Sequence, residues 1–206
     1  MVTYNIHDFV LFDNSTALEC DGPLPAWVEK IVNKKAVAVI RRGESENKIP
    51  VGIRGKTKAQ KFGTFIRSQN VKCLLKSTDV LQMEFPKNTN TRYWQILAQV
   101  REYLGKHGLN WGISGSAAYE LVTQIPTVTT NSDIDLIALK QEKLSRVAAT
   151  SLLRDLNSFG IHADVQIIRG TAGFSLEEYV QNRGRKILIK SNHGPYLSLN
   201  PWDEFE

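Results

Sequence analysis

Cysteine is scarce in this chain. Only Cys20 and Cys73 occur among 206 residues, fifty-three positions apart, which excludes a disulfide framework and offers no metal-type spacing for zinc. Two isolated thiols suit a reducing compartment. Long apolar runs are missing too, since nothing approaches the ~20 residues of a membrane-crossing helix. The opening stretch MVTYNIHDFVLF has no basic start and carries Asp8 early, so it does not read as a secretory leader. Low-complexity tracts and internal repeats are also absent, and the chain is expected to fold throughout. These absences predict a cytoplasmic protein without membrane contact.

What is present is ordinary in amount and biased in sign. Hydrophobic residues make up 42% and charged residues 23%, with a net charge of +5. The pI near 9.2 favours an acidic partner: a polyphosphate ligand, a nucleic acid or an acidic protein surface. The length suits one large domain or two small ones. The turn-rich stretch MEFPKNTNTR around Pro86 divides the chain into two, residues 1–86 and 91–206.

Periodicity sketches the elements. IHDFVLF, AVAVIRR and IPVGIRG read as strands, and LPAWVEKIVNK as a helix whose first turn tolerates Pro25, with Trp27, Val28, Ile31 and Val32 on one stripe. In KAQKFGTFIRSQN, residues Phe62, Phe65 and Ile66 recur at helical spacing and predict a helix, against the disfavour of Gly63. Further on, Ile96, Leu97, Val100, Tyr103 and Leu104 give a helix leading to a strand at 111–114. Leu144, Ala148, Leu152 and Leu156 repeat every fourth residue and give another, stopped by Gly160. ADVQIIRG, KILIK and PYLSL read as strands, and Ser175 with Glu178 forms a capping box. The four tryptophans are assigned to packing and none to a ligand. The fold class expected is α/β in the broad sense (α+β): a smaller α/β domain followed by a larger one with a mixed sheet.

The chemistry concentrates in the second half. Asp133 and Asp135 in NSDIDLIAL lie two residues apart on a strand, so both side chains point to one face, roughly 7 Å apart along the backbone. Like charges so placed repel, and a divalent cation shared between them removes that penalty. Eighteen residues before Asp133 stands Gly115, followed by Ser116, in WGISGSAAYELV. A strand, a tight glycine turn and a helix follow one another there, and the first amides of that helix face outward toward an anion. Ser116 also suits the N-cap of that helix. Asp164 opens a later strand and is the candidate third carboxylate. In the first half, Arg41, Arg42 and Arg54 fall at the ends of two strands beside Gly52 and Gly55, a pattern that suits a phosphate-binding pocket.

The order of strand, Gly-Ser turn, helix, DxD strand, helix and a further Asp-bearing strand resembles the nucleotidyltransferase fold. Taken with HDFVLF, LPAWV, VIRR, VGIRG, WGISGSAAYEL and SDIDLIAL, the chain is similar over most of its length to the malonate decarboxylase holo-acyl-carrier-protein synthases, also called phosphoribosyl-dephospho-CoA transferases. It departs from that pattern at Gln124, where glycine is expected after the helix-ending Thr123. The resemblance implies that Gly115 and Ser116 grip the phosphates of the donor, triphosphoribosyl-dephospho-CoA, and that Asp133, Asp135 and Asp164 act in catalysis and hold Mg²⁺. It implies that the acceptor is a serine of the acyl carrier protein of malonate decarboxylase, and that pyrophosphate leaves. The first domain would contribute donor-phosphate contacts through Arg41, Arg42 and Arg54, and contacts to the carrier protein.

Two other readings compete. A related nucleotidyltransferase could serve another carrier, such as that of citrate lyase, or a different acceptor. A basic nucleic-acid-binding module would explain the charge, yet it leaves the Gly-Ser turn and DxD strand unexplained, and the cations are scattered without aromatic platforms. No nucleic-acid partner is therefore expected.

Overall fold

A computed structural model describes residues 4–203 except 56, 58, 88, 109, 140, 141 and 183. Its contacts divide the chain into two compact units, Met1–Lys76 and Ser77–Glu206. The turn-rich segment after Phe85 is thus internal to the second unit. The helix at 77–81 belongs there because Ser77 packs on Gly112, where an added Cβ would lie 2.6 Å from the Ser77 hydroxyl oxygen.

The first unit comprises β1 (Phe9–Leu11), β2 (Leu18–Glu19), α1 (Ala26–Val32), β3 (Val37–Ile40), β4 (Lys48–Arg54), β5 (Lys61–Arg67) and β6 (Cys73–Leu75). The strands pair antiparallel in the order β2-β5-β4-β3-β1-β6. Helix α1 begins directly after Pro25, whose fixed φ of −58° places it at the N-cap. Its Val28, Ile31 and Val32 join Ile49, Val51, Ile53 and Ile66 in one apolar cluster. Alternation along β4 and β5 therefore directs Ile49, Val51, Ile53, Thr64 and Ile66 to the α1 side and Gly52, Arg54, Lys61, Gly63 and Phe65 to the other.

One sequence expectation fails here. The predicted helix in residues 58–70 is strand β5 followed by a short 3-10 turn, with Lys58 outside the described residues. Phe62 and Ile66 sit four apart, a spacing that serves a helix face and a strand face equally. Phe65 breaks the tie: it points away from the core and is 36% exposed. The run Gly63-Thr64-Phe65-Ile66 also favours a pleated strand over a helix.

The second unit comprises α2 (Ser77–Leu81), α3 (Thr91–Gly105), β7 (Asn110–Ile113), α4 (Gly115–Thr123), β8 (Ile134–Leu139), α5 (Arg146–Asn157), β9 (Ala163–Arg169), β10 (Ala172–Ser175), α6 (Leu176–Gln181), β11 (Ile187–Ser191) and β12 (Gly194–Ser198). Its sheet has the order β12-β11-β10-β9-β8-β7. It is mixed, because β8 and β9 run parallel while the other neighbours are antiparallel. A parallel pair needs a crossover, and α5 supplies it. Ser145 caps α5 by accepting the Ala148 amide at 3.1 Å, and Ser175 caps α6 at the Glu178 amide. Ile134, Leu136, Ala138, Ala163, Val165 and Ile167 lie on one sheet face and are all buried. Tyr103 of α3 is tied to α5 by a hydrogen bond to the Asp155 carboxylate at 3.1 Å. Trp94, Trp111 and Trp202 are buried, and Trp202 packs edge-on against Phe174 and Tyr179.

The architecture is α+β, with one antiparallel and one mixed sheet. Among the described residues no helix is long and apolar enough to cross a membrane. Helix α4 ends at Gln124, which adopts φ +60° and donates its amide to the Glu120 carbonyl at 2.8 Å. The place where glycine is expected from the resemblance is thus a left-handed C-cap, the conformation that glycine enters most readily.

Candidate functional site

Strand β7 ends beside β8, and the amide of Ser114 donates to the Asp135 carbonyl at 2.9 Å. The chain then turns through Gly115 at φ +64° into α4. Asp135 explains why this position is glycine, because an added Cβ would overlap the Asp135 carboxylate oxygen and lie 2.9 Å from its Cβ. The Gly-Ser turn and the DxD strand, separate in sequence, are therefore in contact. The helix cap is Ser114 and not Ser116 as expected, and its hydroxyl makes no capping bond. Ser116 is the second residue of the helix and is buried. The N-cap side chain makes no bond to the first-turn amides of α4, and a helix start left so is the kind that receives an anion.

Strand register completes the set. Asp135 and Asp164 are direct partners across the parallel pair β8 and β9, so their side chains share one face on strands about 5 Å apart. That face is the one opposite the buried Leu136 and Val165. Both aspartates are half-buried, while Asp133, just before β8, is exposed. Arg41, Arg42 and Arg54 belong to the first unit. Arg41 and Arg54 lie on the sheet face away from α1. Arg42 is half-buried, its Nε and Nη2 make no hydrogen bond, and desolvation holds its guanidinium below the usual arginine range.

Among the described residues no three His, Cys, Asp or Glu side chains form a group that could hold a metal ion. Mg²⁺ does not need one, since it commonly takes one or two carboxylates and fills its octahedron with water and phosphate oxygens. The register pair Asp135 and Asp164 supplies two carboxylates on one face, and Asp133 does not join them in a group of three.

Two contributors escaped the sequence reading. Tyr93 on α3 is buried and donates its hydroxyl to the Asp133 carbonyl at 3.0 Å. Burial first, then the charges of Asp135, Asp133 and Glu120, push its phenol above the ordinary tyrosine range, so it remains a donor. Glu120, 3% exposed on α4, accepts the amides of Thr127 and Val128, both at 2.7 Å, and the Thr89 hydroxyl at 3.3 Å. Thr127 in turn donates to the Ser116 carbonyl at 2.9 Å. The segment that leads into the DxD strand is thereby fastened to the helix of the Gly-Ser turn. The available signal was a single acid in the otherwise apolar AAYELV, since a buried charge demands partners.

No solved structure matches the chain significantly. Curated relatives do, over nearly its full length. Phosphoribosyl-dephospho-CoA transferase of Pseudomonas putida is 30% identical across 97% of this chain and 96% of the relative. The protein of the same name from Pseudomonas putida strain GB-1 is 29% identical across 95% and 94%. That from Klebsiella pneumoniae strain 342 is 28% identical across 97% of both. The sequence profile described as Phosphoribosyl-dephospho-CoA transferase MdcG C-terminal domain matches residues 80–201, which takes in β7, the Gly-Ser turn, β8 and β9. With that profile covering more than half of its length, the chain belongs to the phosphoribosyl-dephospho-CoA transferases, a family of transferase enzymes.

Proposed function

We propose that the protein transfers the phosphoribosyl-dephospho-CoA group from triphosphoribosyl-dephospho-CoA to a serine hydroxyl on the acyl carrier protein of malonate decarboxylase, releasing pyrophosphate. The observation that carries this is the contact between the glycine turn and Asp135, with Asp164 in register beside it. An anion-receiving helix start is set against paired carboxylates, the pairing that phosphoryl transfer requires.

In this reading the serine oxygen forms a bond to the phosphorus nearest the ribose, and the bond from that phosphorus to the pyrophosphate oxygen breaks. The hydroxyl proton passes to a carboxylate, for which Asp164 is the candidate base. The first-turn amides of α4, beginning at Gly115 and Ser116, hold the leaving phosphates. Tyr93 and Glu120 fix the backbone on which Asp133 stands. Asp133 and Asp135 would hold Mg²⁺, with Asp164 completing the shell where it does not act as base, and the ion would neutralise triphosphate charge when bound. Arg41, Arg42 and Arg54 would be phosphate contacts of the first unit, taken by itself.

The test is to incubate the purified protein with Mg²⁺, the triphosphoribosyl donor and apo carrier protein, and to weigh the carrier by mass spectrometry. A gain equal to one phosphoribosyl-dephospho-CoA group on the malonate decarboxylase carrier is expected. An unmodified carrier would overturn the proposal, and modification of a citrate lyase carrier alone would replace its acceptor.

A further inference from the structure

Strand register carries the face of Asp135 and Asp164 across the whole second sheet. Alternation along β9 puts Gln166 and Ile168 on the Asp164 side. Ile168 partners Gly173 of β10, Gly173 partners Lys190 of β11, and Lys190 partners Pro195 of β12. Leu188 and its partner Leu197 stand one row nearer the acids. On the same face Ile137, Leu139 and Ile168 form a small buried apolar cluster. Exposure then rises toward the edge, where Leu188 is half-buried and Leu197 is 58% exposed.

Strand β12 is the last of its sheet. A bare edge is a template for association, and proteins blunt such edges with charged side chains, proline or cover. Apart from Pro195, β12 carries none of these residues. Tyr196, Leu197 and Leu199 are instead half of the six large apolar side chains exposed among the described residues, and apolar surface grouped in this way marks a contact site. Charge is one-sided here as well. From Gly184 to Asn200 there is no Asp or Glu, while Arg185, Lys186 and Lys190 supply cations, all three of them exposed.

We propose that this edge docks the protein acceptor, through an acidic surface that surrounds an apolar contact to Leu197 and Leu199. That the occupant is the acceptor rests on the transfer reading above. Asp164 stands three strands from β12, about 15 Å at the usual strand spacing, so a globular partner seated on the edge can bring its serine to the acids. Charge and side-chain type decide against other occupants. A second copy would set a cationic face against an identical one, and nucleic acid calls for aromatic stacking surfaces where Leu197 and Leu199 are aliphatic. The carrier contacts expected of the first domain fall instead on the second unit.

The experiment measures calorimetric binding of the apo malonate decarboxylase carrier protein to the full chain, for the natural sequence, Lys190→Glu and Leu197→Ser, beside the mass gain of that carrier with donor and Mg²⁺. Both positions are exposed, so melting should stay within about 2 °C of wild type. Each variant should weaken carrier binding about tenfold, as at the centre of an interface. Added salt should weaken the natural chain more than Lys190→Glu. Unchanged affinity in either variant, or no binding of the carrier by the natural chain, would overturn the docking edge. A dimer in sedimentation that Leu197→Ser dissociates would give the edge to a second copy, and generic RNA binding lost in Lys190→Glu with carrier binding intact would give it to nucleic acid; either result overturns the proposal. A carrier that gains mass while the variants bind it normally would sink the edge and spare the transfer. Weakened binding in the variants, with a carrier that the natural chain leaves unmodified, would do the reverse.

Discussion

Glu120→Ala tests whether a buried carboxylate holds the approach to the DxD strand. The wild-type side chain is 3% exposed and accepts two backbone amides at 2.7 Å and one hydroxyl at 3.3 Å. Hydrogen bonds to a charged group contribute about 1.5–3 kcal/mol each, and a buried amide left without its acceptor costs about 1–3 kcal/mol. The Val128 amide is fully buried and the Thr127 amide partly so, which sets the expected loss at about 3–5 kcal/mol. At about 2–4 °C per kcal/mol for a chain of this size, melting should fall by roughly 10 °C. Glu120→Gln keeps an oxygen acceptor and should cost only about 1–2 kcal/mol, the difference between charged and neutral bonds. Urea titration and thermal melting of both variants check the order, with alanine much the worse. Equal damage from the two substitutions, or an alanine variant within about 0.5 kcal/mol of wild type as for an ordinary surface site, would refute the role given to these bonds.

Asp133→Asn and Asp135→Asn should each abolish transfer to the carrier while leaving the far-UV circular dichroism and melting point near wild type; retained activity in either would remove it from the site. Tyr93 adds a pH signature. Its phenol is raised in the fold, so its contribution is complete below about pH 10, where an unfolded tyrosine ionises, and is lost as pH climbs from there toward the folded value. Tyr93→Phe should therefore flatten the alkaline decline of stability above pH 10, read by urea melts at stepped pH, and an unchanged decline would contradict the shift. Gln124→Gly should stabilise the protein by about 0.5–1 kcal/mol, since φ +60° strains an L side chain more than the added chain entropy of glycine costs.

Much of the candidate site in the second unit was legible in sequence because its signals are local. Asp133 and Asp135 announce a strand face by their spacing, and Gly115-Ser116 announces a strand-to-helix turn. Asp164 was placed by motif order alone, and only the parallel register of β8 and β9 puts it beside Asp135. The first unit was harder. Residues 62 and 66 satisfy helix and strand periods alike, and their hairpin partners Ile53 and Ile49 on β4 decide between them. Glu120 and Tyr93 stayed hidden because most of their partners are backbone atoms of a connecting loop, which carries no side-chain pattern.

The parallel pairing of β8 with β9 also governs when activity can appear. Asp135 and Asp164 meet only after the loop through α5 has closed, and such closure exacts its entropy before any contact repays it. The face that carries both aspartates is therefore a late product of folding, absent from a nascent chain until β9 has emerged from the ribosome and docked. A partly made chain of this design lacks the paired carboxylates that the finished sheet brings side by side.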